Sequence, residues 1–161
     1  RLGSFGTSNT AISKSSAFYN QIKDSLNSEN LIVDLRNNPG GGFKASGKFL
    51  SLLKTYSRKG KPYIITNYRT FSNAEQFVLE LKGNKNVVTL GQTTNGTITY
   101  GNNYGRSVTL PSGKYRIYIT DMNGSNKNLA YEETGISPDV ELDQNSDWVQ
   151  QVVQMINKQQ P

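Results

Sequence analysis

The stretch Leu31-Ile-Val-Asp-Leu-Arg-Asn-Asn-Pro-Gly-Gly-Gly-Phe43 decides the fold. Its first five residues are mostly apolar, which is typical of a strand that is buried on both faces of a parallel sheet. The residues that follow, 36–42, predict a Gly-rich loop. Backbone N–H groups in such a loop can bind an oxyanion, so the segment indicates both a fold class and a chemistry.

Apolar runs and helical periodicity alternate on either side of this stretch. We predict strands at residues 1–5, 31–35, 62–66 and 86–90, and helices at 15–27, 44–56 and 72–82. After Gly91 we predict loops at 93–103 and 123–128, a hairpin from strands 106–110 and 114–120 with one wet face, a strand at 139–142 and a helix at 146–158. This order predicts one α/β domain over residues 1–161, with parallel strands, helices on both faces and a mixed β extension in the C-terminal half.

Composition excludes several classes of function. The 161 residues carry a net charge of +6 and contain neither Cys nor His, which rules out disulfides and leaves no thiolate or imidazole metal ligand. We therefore expect no metal and no cofactor. The basic residues are scattered apart from one cluster at 58–61, without a nucleic-acid-binding motif, so no nucleic-acid partner is predicted. No apolar run is long enough to cross a bilayer, and none resembles a signal peptide.

Ser72 is the first candidate for chemistry. It lies in Thr70-Phe-Ser-Asn-Ala-Glu75, at the expected start of a helix that follows an apolar strand. A hydroxyl at this place can be a nucleophile. The same residues also match an S-x-x-E capping box, in which Ser72 and Glu75 only satisfy the backbone at the helix start.

Other segments allow alternative interpretations. Residues 42–48 fit G-x-x-x-x-G-K, but Phe49 stands where a Mg²⁺-binding Ser or Thr is needed, so nucleotide binding is not favoured. The adjacent carboxylates Glu132 and Glu133 could be surface decoration, or one of them could orient or act as a base.

Four segments together resemble one family, the C-terminal processing proteases and the related tricorn-protease core domain. The resemblance covers residues 31–41, 70–75, 91–96 and 135–140, in the order and spacing of the family. It implies a serine-type endopeptidase on a crotonase-like (ClpP-like) core. It also implies a peptide or unfolded-protein substrate.

The resemblance assigns roles residue by residue. Ser72 corresponds to the nucleophile, and the backbone N–H groups of Asn73 and of Gly41 or Gly40 correspond to the oxyanion hole. Thr97 stands where the Ser/Lys branch has its dyad lysine, so the chain resembles the tricorn-like branch more closely. In that branch the position of Glu132 belongs to the catalytic set, together with a histidine that this chain lacks.

The family further implies a bacterial envelope or secreted location and is compatible with a homo-oligomer. Because the chain opens at Arg1 without Met, we expect it to be the catalytic core of a longer protein whose PDZ module lies upstream. Two alternatives remain open. One is a catalytically impaired peptide-binding or scaffold domain on the same fold, and the other is an acyl-CoA-handling enzyme that uses the basic cluster at 58–61.

Overall fold

The computed structural model describes residues 1–101, 105–122 and 124–159. Five helices lie in the described residues: α1 Asn9–Ile22, α2 Phe43–Tyr56, α3 Asn73–Lys82, α4 Asn126–Leu129 and α5 Trp148–Lys158. Six strands accompany them: β1 Asn30–Asp34, β2 Lys61–Thr66, β3 Val88–Gly91, β4 Ser107–Thr109, β5 Arg116–Tyr118 and β6 Val140–Glu141.

Four of the strands form a parallel sheet in the order β1-β2-β3-β6. The register pairs Asp34 with Ile65 and Leu90 with Val140. Since the strands are parallel, their carboxyl ends meet at one edge, and the loops that begin at Leu35, Asn67 and Gln92 all leave from that edge. The predicted α/β class with a parallel sheet is confirmed.

Helices cover both faces of this sheet, and β2 shows how. Ile64 is fully buried in a core shared with Phe49, Leu53 and Phe77 of α2 and α3. Its neighbours Tyr63 and Ile65 point to the other face, into a second core with Trp148 and Val152 of α5. Alternate side chains of one strand thus enter two cores, which explains why β2 is buried at nearly every position.

The N-terminal segment differs from the prediction. Residues 1–5 form no named strand; Phe5 makes only an isolated parallel bridge with Gly41. Helix α1 begins at Asn9 rather than at residue 15, because the Ser8 hydroxyl accepts a hydrogen bond from Ala11 N–H at 3.2 Å and caps the helix. The first turn mixes polar Asn9 and Thr10 with Ala11 and Ile12, so apolar periodicity did not indicate it.

Two further predictions need correction in the C-terminal half. The hairpin β4–β5 exists, but its residues are exposed on both faces rather than on one. The loop predicted at 123–128 contains the short helix α4, capped by Ser125. Residues 102, 103 and 123 of the predicted loops lie outside the described residues.

Candidate active site

Ser72 lies where the loop after β2 turns sharply into α3. Its backbone has φ 59° and ψ −129°, a conformation that costs a non-glycine residue on the order of 1–3 kcal/mol. A serine on a strained strand-to-helix turn is the arrangement that holds a nucleophilic hydroxyl forward at the end of a parallel sheet. Ser72 is half-buried, so its side chain is reachable from solvent.

The capping box at Ser72 is present, and main-chain hydrogen bonds support the same helix start. The Glu75 carboxylate accepts the Ser72 N–H at 3.0 Å, and the Glu75 N–H donates to the Ser72 carbonyl at 2.9 Å. Because the Ser72 carbonyl also accepts the Glu75 N–H, a role of Ser72 in capping the helix does not exclude a role as nucleophile.

The Gly-rich loop lies directly against the Ser72 backbone. Gly40 has φ +79°, and a Cβ there would lie 2.7 Å from Asn73 N and 2.9 Å from Ser72 Cβ. Gly41 has φ +133°, and a Cβ there would collide with the Phe5 carbonyl. Only glycine can bring the loop this close to the start of α3.

Two backbone amides beside Ser72 have no protein partner within the described ranges. Gly40 N–H is occupied, because it donates to Asn38 Oδ1 at 2.8 Å. The N–H groups of Gly41 and Asn73 make no hydrogen bond to any described residue. Of the two glycines proposed for an oxyanion hole, the hydrogen-bond pattern therefore favours Gly41.

Glu75 is the residue that sequence reasoning missed. Its carboxylate is fully buried and accepts four hydrogen bonds: from Ser72 N at 3.0 Å, Thr97 N at 3.0 Å, Gly96 N at 2.7 Å and Thr94 Oγ1 at 2.6 Å. A buried charge is tolerated when its oxygens are saturated in this way. The carboxylate thereby fixes the segment 94–97 against the start of α3. The S-x-x-E pattern, for which the sequence predicted only a capping role of Glu75, was the available signal.

The segments 91–96 and 135–140 of the family resemblance also lie near Ser72. Ser72 N–H donates to the Thr97 carbonyl at 2.9 Å, so Thr97 is a direct neighbour of Ser72. Gly96, with φ +85°, has room for no Cβ because Glu133 and Gly135, the first residue of the 135–140 segment, lie against it. All four motifs therefore meet around the N-terminus of α3.

Glu132 reaches this cluster indirectly. Its Oε2 accepts the backbone N–H groups of Ile98 at 3.1 Å and Thr99 at 2.6 Å. The carboxylate thus holds the segment that continues from Thr97, and it makes no hydrogen bond to Ser72. The neighbouring Glu133 side chain is exposed.

A cleft of about 690 Å³ opens beside Ser72. Gly41, Ser72 and Asn73 lie at one side of it. The rest of the lining mixes apolar side chains with polar ones: Phe43, Leu50, Leu79 and Met122 with Gln76, Ser125 and Asn128. Across the cleft, Lys127 Nζ binds Glu80 at 2.8 Å. Hydrogen bonds from Lys127 and Lys54 lower the pKa of Glu80 to about 2, so this carboxylate is charged at neutral pH and is a weak base.

The remaining sequence candidates have structural partners. Lys48, the lysine of the G-x-x-x-x-G-K match, donates to Ser16 Oγ at 2.9 Å and so packs α2 against α1. In the basic cluster, Lys61 donates to Gln159 Oε1. The described residues contain no group of three or more acidic side chains that could hold a metal ion. None of the described helices has the length and apolar character to span a bilayer.

The fold and the site together define an α/β domain with a strained serine, two unpartnered amides and a cleft at the carboxyl edge of a parallel sheet. The model of peptidase family S41 matches residues 48–142. The chain belongs to this family, which includes the proteases that the sequence resembles. No curated protein matches the chain.

Solved structures share the fold at low sequence identity. A photosystem II D1 C-terminal processing protease is 24% identical, with a TM-score of 0.60 over 89% of this chain and 41% of that one. A lipoprotein from Streptococcus agalactiae is 23% identical, with a TM-score of 0.61 over 96% of this chain and 64% of that one. The tricorn protease is 18% identical, with a TM-score of 0.66 over 98% of this chain and 17% of that one. The chain thus spans less than two thirds of each of these proteins.

Proposed function

We propose that the chain is the catalytic core of a serine-type endopeptidase of the C-terminal-processing and tricorn-like kind, with Ser72 as its nucleophile. The observation that carries the proposal is the placement of Ser72, with φ 59°, beside the unpartnered N–H groups of Gly41 and Asn73 in one cleft. The family match and the low-identity protease neighbours support peptide hydrolysis as the reaction.

In this mechanism Ser72 Oγ attacks the carbonyl carbon of a peptide bond and loses its proton to a base. The carbonyl oxygen becomes an oxyanion, which the N–H groups of Gly41 and Asn73 stabilise. Collapse expels the amine with a proton, and water then releases the acyl group from Ser72. Removing one oxyanion donor typically lowers the rate about 10²–10³-fold.

The identity of the base is the open part of the proposal, since the chain has no histidine and carries threonine at position 97. Glu132 acts as a positioning residue: by holding the amides of Ile98 and Thr99 it keeps Thr97 against Ser72. This arrangement favours the tricorn-like assignment over a Ser/Lys dyad.

The test is hydrolysis of a fluorescence-quenched peptide library by the wild type and by Ser72→Ala. Turnover that disappears in Ser72→Ala but persists in Ser51→Ala, a matched change at an exposed position of α2, supports the proposal. Turnover that survives in Ser72→Ala contradicts it.

A second function is favoured by one specific observation: among the described residues, no lysine or arginine side chain is hydrogen-bonded to Ser72. A peptide-binding or scaffold domain would use the same cleft without chemistry. Peptides that bind the wild type and Ser72→Ala equally, with no cleavage by either protein, would establish this alternative.

The cellular location and the longer protein around this domain are also proposed. We place the domain within a longer protein of the bacterial envelope or of the secreted fraction, acting on unfolded proteins, with a PDZ module elsewhere in that protein. Support comes from relatives that are longer than this chain, one of them named a lipoprotein. Fractionation of cells that express the native gene, followed by immunodetection, tests the location.

A further inference from the structure

The hairpin β4–β5 has an apolar face that the described part of the chain leaves open. Register pairs Val108 with Ile117. Two residues closer to the turn, Leu110 lies opposite Tyr115, and the two are joined by a hydrogen bond of 2.9 Å. Directly opposed residues, and residues two apart, share a face. Val108, Ile117 and Tyr115 are 52%, 48% and 66% exposed.

An isolated two-stranded hairpin that exposes such a face is only marginally stable in water. Two strands alone are marginally stable, and alternation of apolar and polar residues is typical of a sheet that buries one side. The opposite face carries Ser107, Thr109 and Arg116, together with Tyr118 opposite Ser107. The pattern therefore indicates an occupant for the apolar face.

The hairpin rises from the rim of the candidate active site. At its base, Asp121 N–H donates to the Gly101 carbonyl at 2.9 Å, and Thr120 Oγ1 accepts Gly101 N–H at 3.0 Å. The next residue, Met122, lines the cleft that contains Ser72. A chain lying in the cleft could continue onto the hairpin without leaving the surface.

Charge indicates what kind of chain the hairpin accepts. Between residues 107 and 120 there are two basic residues, Lys114 and Arg116, and no acidic one. A second copy of the domain would add like charges to the same surface, which is unfavourable, whereas an acidic chain would complement them.

We propose that β4–β5 is a substrate-docking arm that binds an extended, acidic and apolar segment of the polypeptide whose scissile bond lies in the cleft. The segment lies beside the hairpin as an added strand does and places its alternate apolar side chains on Val108, Leu110, Tyr115 and Ile117. The substrate part of this inference rests on the proposed function, while peptide binding by the arm does not require catalysis.

The experiment measures binding on the Ser72→Ala background, by anisotropy of a fluorescein-labelled peptide of about twelve residues in which Val and Glu alternate. Val108→Thr/Ile117→Thr changes the apolar face and keeps β-branched residues. Ser107→Thr/Tyr118→Thr changes the opposed pair on the polar face and is the matched control. We expect the first variant to weaken binding about ten-fold or more, since it loses apolar contact, and the control to change it less than about two-fold.

A peptide with Lys in place of Glu should bind more weakly, and Tyr115→Thr, at the tip of the same face, should also weaken binding. Equal loss in both double variants, no binding at all, or equal binding of the Lys peptide would overturn the proposal. Sedimentation that shows a dimer dissociated by Val108→Thr/Ile117→Thr would also overturn it and assign the face to a second copy. Because the readout is binding, absence of hydrolysis would contradict the proposed function and leave this inference standing.

Discussion

Glu75 holds Ser72 by its main chain: the buried carboxylate accepts the Ser72 N–H at 3.0 Å, one turn of α3 away from the hydroxyl. The same carboxylate accepts the N–H groups of Gly96 and Thr97. One side chain therefore joins two motifs that are some twenty residues apart in sequence. The strained backbone of Ser72 is kept in place by this bond and by the contact with Gly40.

Glu75→Gln should destabilise the domain. The amide places an NH₂ group among four donors, so at least one buried N–H or O–H loses its partner, at a cost of about 3 kcal/mol. In a domain of this size the midpoint of thermal unfolding should fall by roughly 6–12 °C. Calorimetry of Glu75→Gln beside Glu141→Gln, an exposed control in β6, checks this; an unchanged midpoint would contradict the role assigned to Glu75.

Gly40→Ala should disturb the site itself. The new Cβ would lie 2.7 Å from both Asn73 N and Phe71 O, so the loop must move away from Ser72. We expect turnover to fall by about 10² or more, since misplacement of about 1 Å can cost that much.

The matched control for this variant is Gly47→Ala. Gly47 lies inside α2 with open space around it, and alanine there should stabilise the helix by about 0.5–1 kcal/mol. Activity and unfolding midpoints of the two variants separate local crowding at the site from a general effect of added methyl groups. Similar activity in both would show that the approach of Gly40 to Ser72 is not needed.

Glu132→Gln should lower turnover, whereas Glu133→Gln should not. The Glu132 carboxylate accepts two backbone N–H groups, and replacing one of its oxygens by NH₂ weakens the hold on Ile98 and Thr99. Since that segment continues from Thr97 beside Ser72, the effect should appear mainly in kcat rather than in KM. Steady-state kinetics of the two variants test this prediction. Equal effects on kcat would contradict the role assigned to Glu132.

Stability should fall in acid partly through Asp34. Burial raises the pKa of this carboxyl, but hydrogen bonds and the positive charge of Arg36 outweigh burial and leave the pKa below its ordinary value of 3.8. A lowered pKa in the folded state gives stability that is fully present above about pH 4 and is lost as the pH falls through the folded value.

Asp34→Asn should therefore reduce the slope of unfolding free energy against pH below about pH 4. Asp24→Asn, at a side chain that is 84% exposed, is the matched control. Urea titrations between about pH 2 and pH 6 measure both variants. Identical slopes in Asp34→Asn and the wild type would show that the Asp34–Arg36 pair does not contribute.

Local sequence was enough for much of the fold. The apolar runs that became β1 and β2 and the periodicity of α2, α3 and α5 predicted their elements to within a few residues, because burial imposes a pattern that neighbouring residues carry themselves. The glycines at 40 and 41 also indicated a tight loop, since their positive φ angles are a local requirement.

Tertiary structure alone decided the rest. No pattern in the sequence shows that Glu75 accepts hydrogen bonds from residues 94–97, that Glu132 holds residues 98 and 99 rather than Ser72, or that Gly41 rather than Gly40 has the unpartnered amide. The contacts of Glu75 and Glu132 join residues that are distant in the chain and exist only after the parallel strands have aligned their carboxyl ends. The sequence identified candidate groups for catalysis, and tertiary packing determined which of them have hydrogen-bonding atoms that are not already occupied.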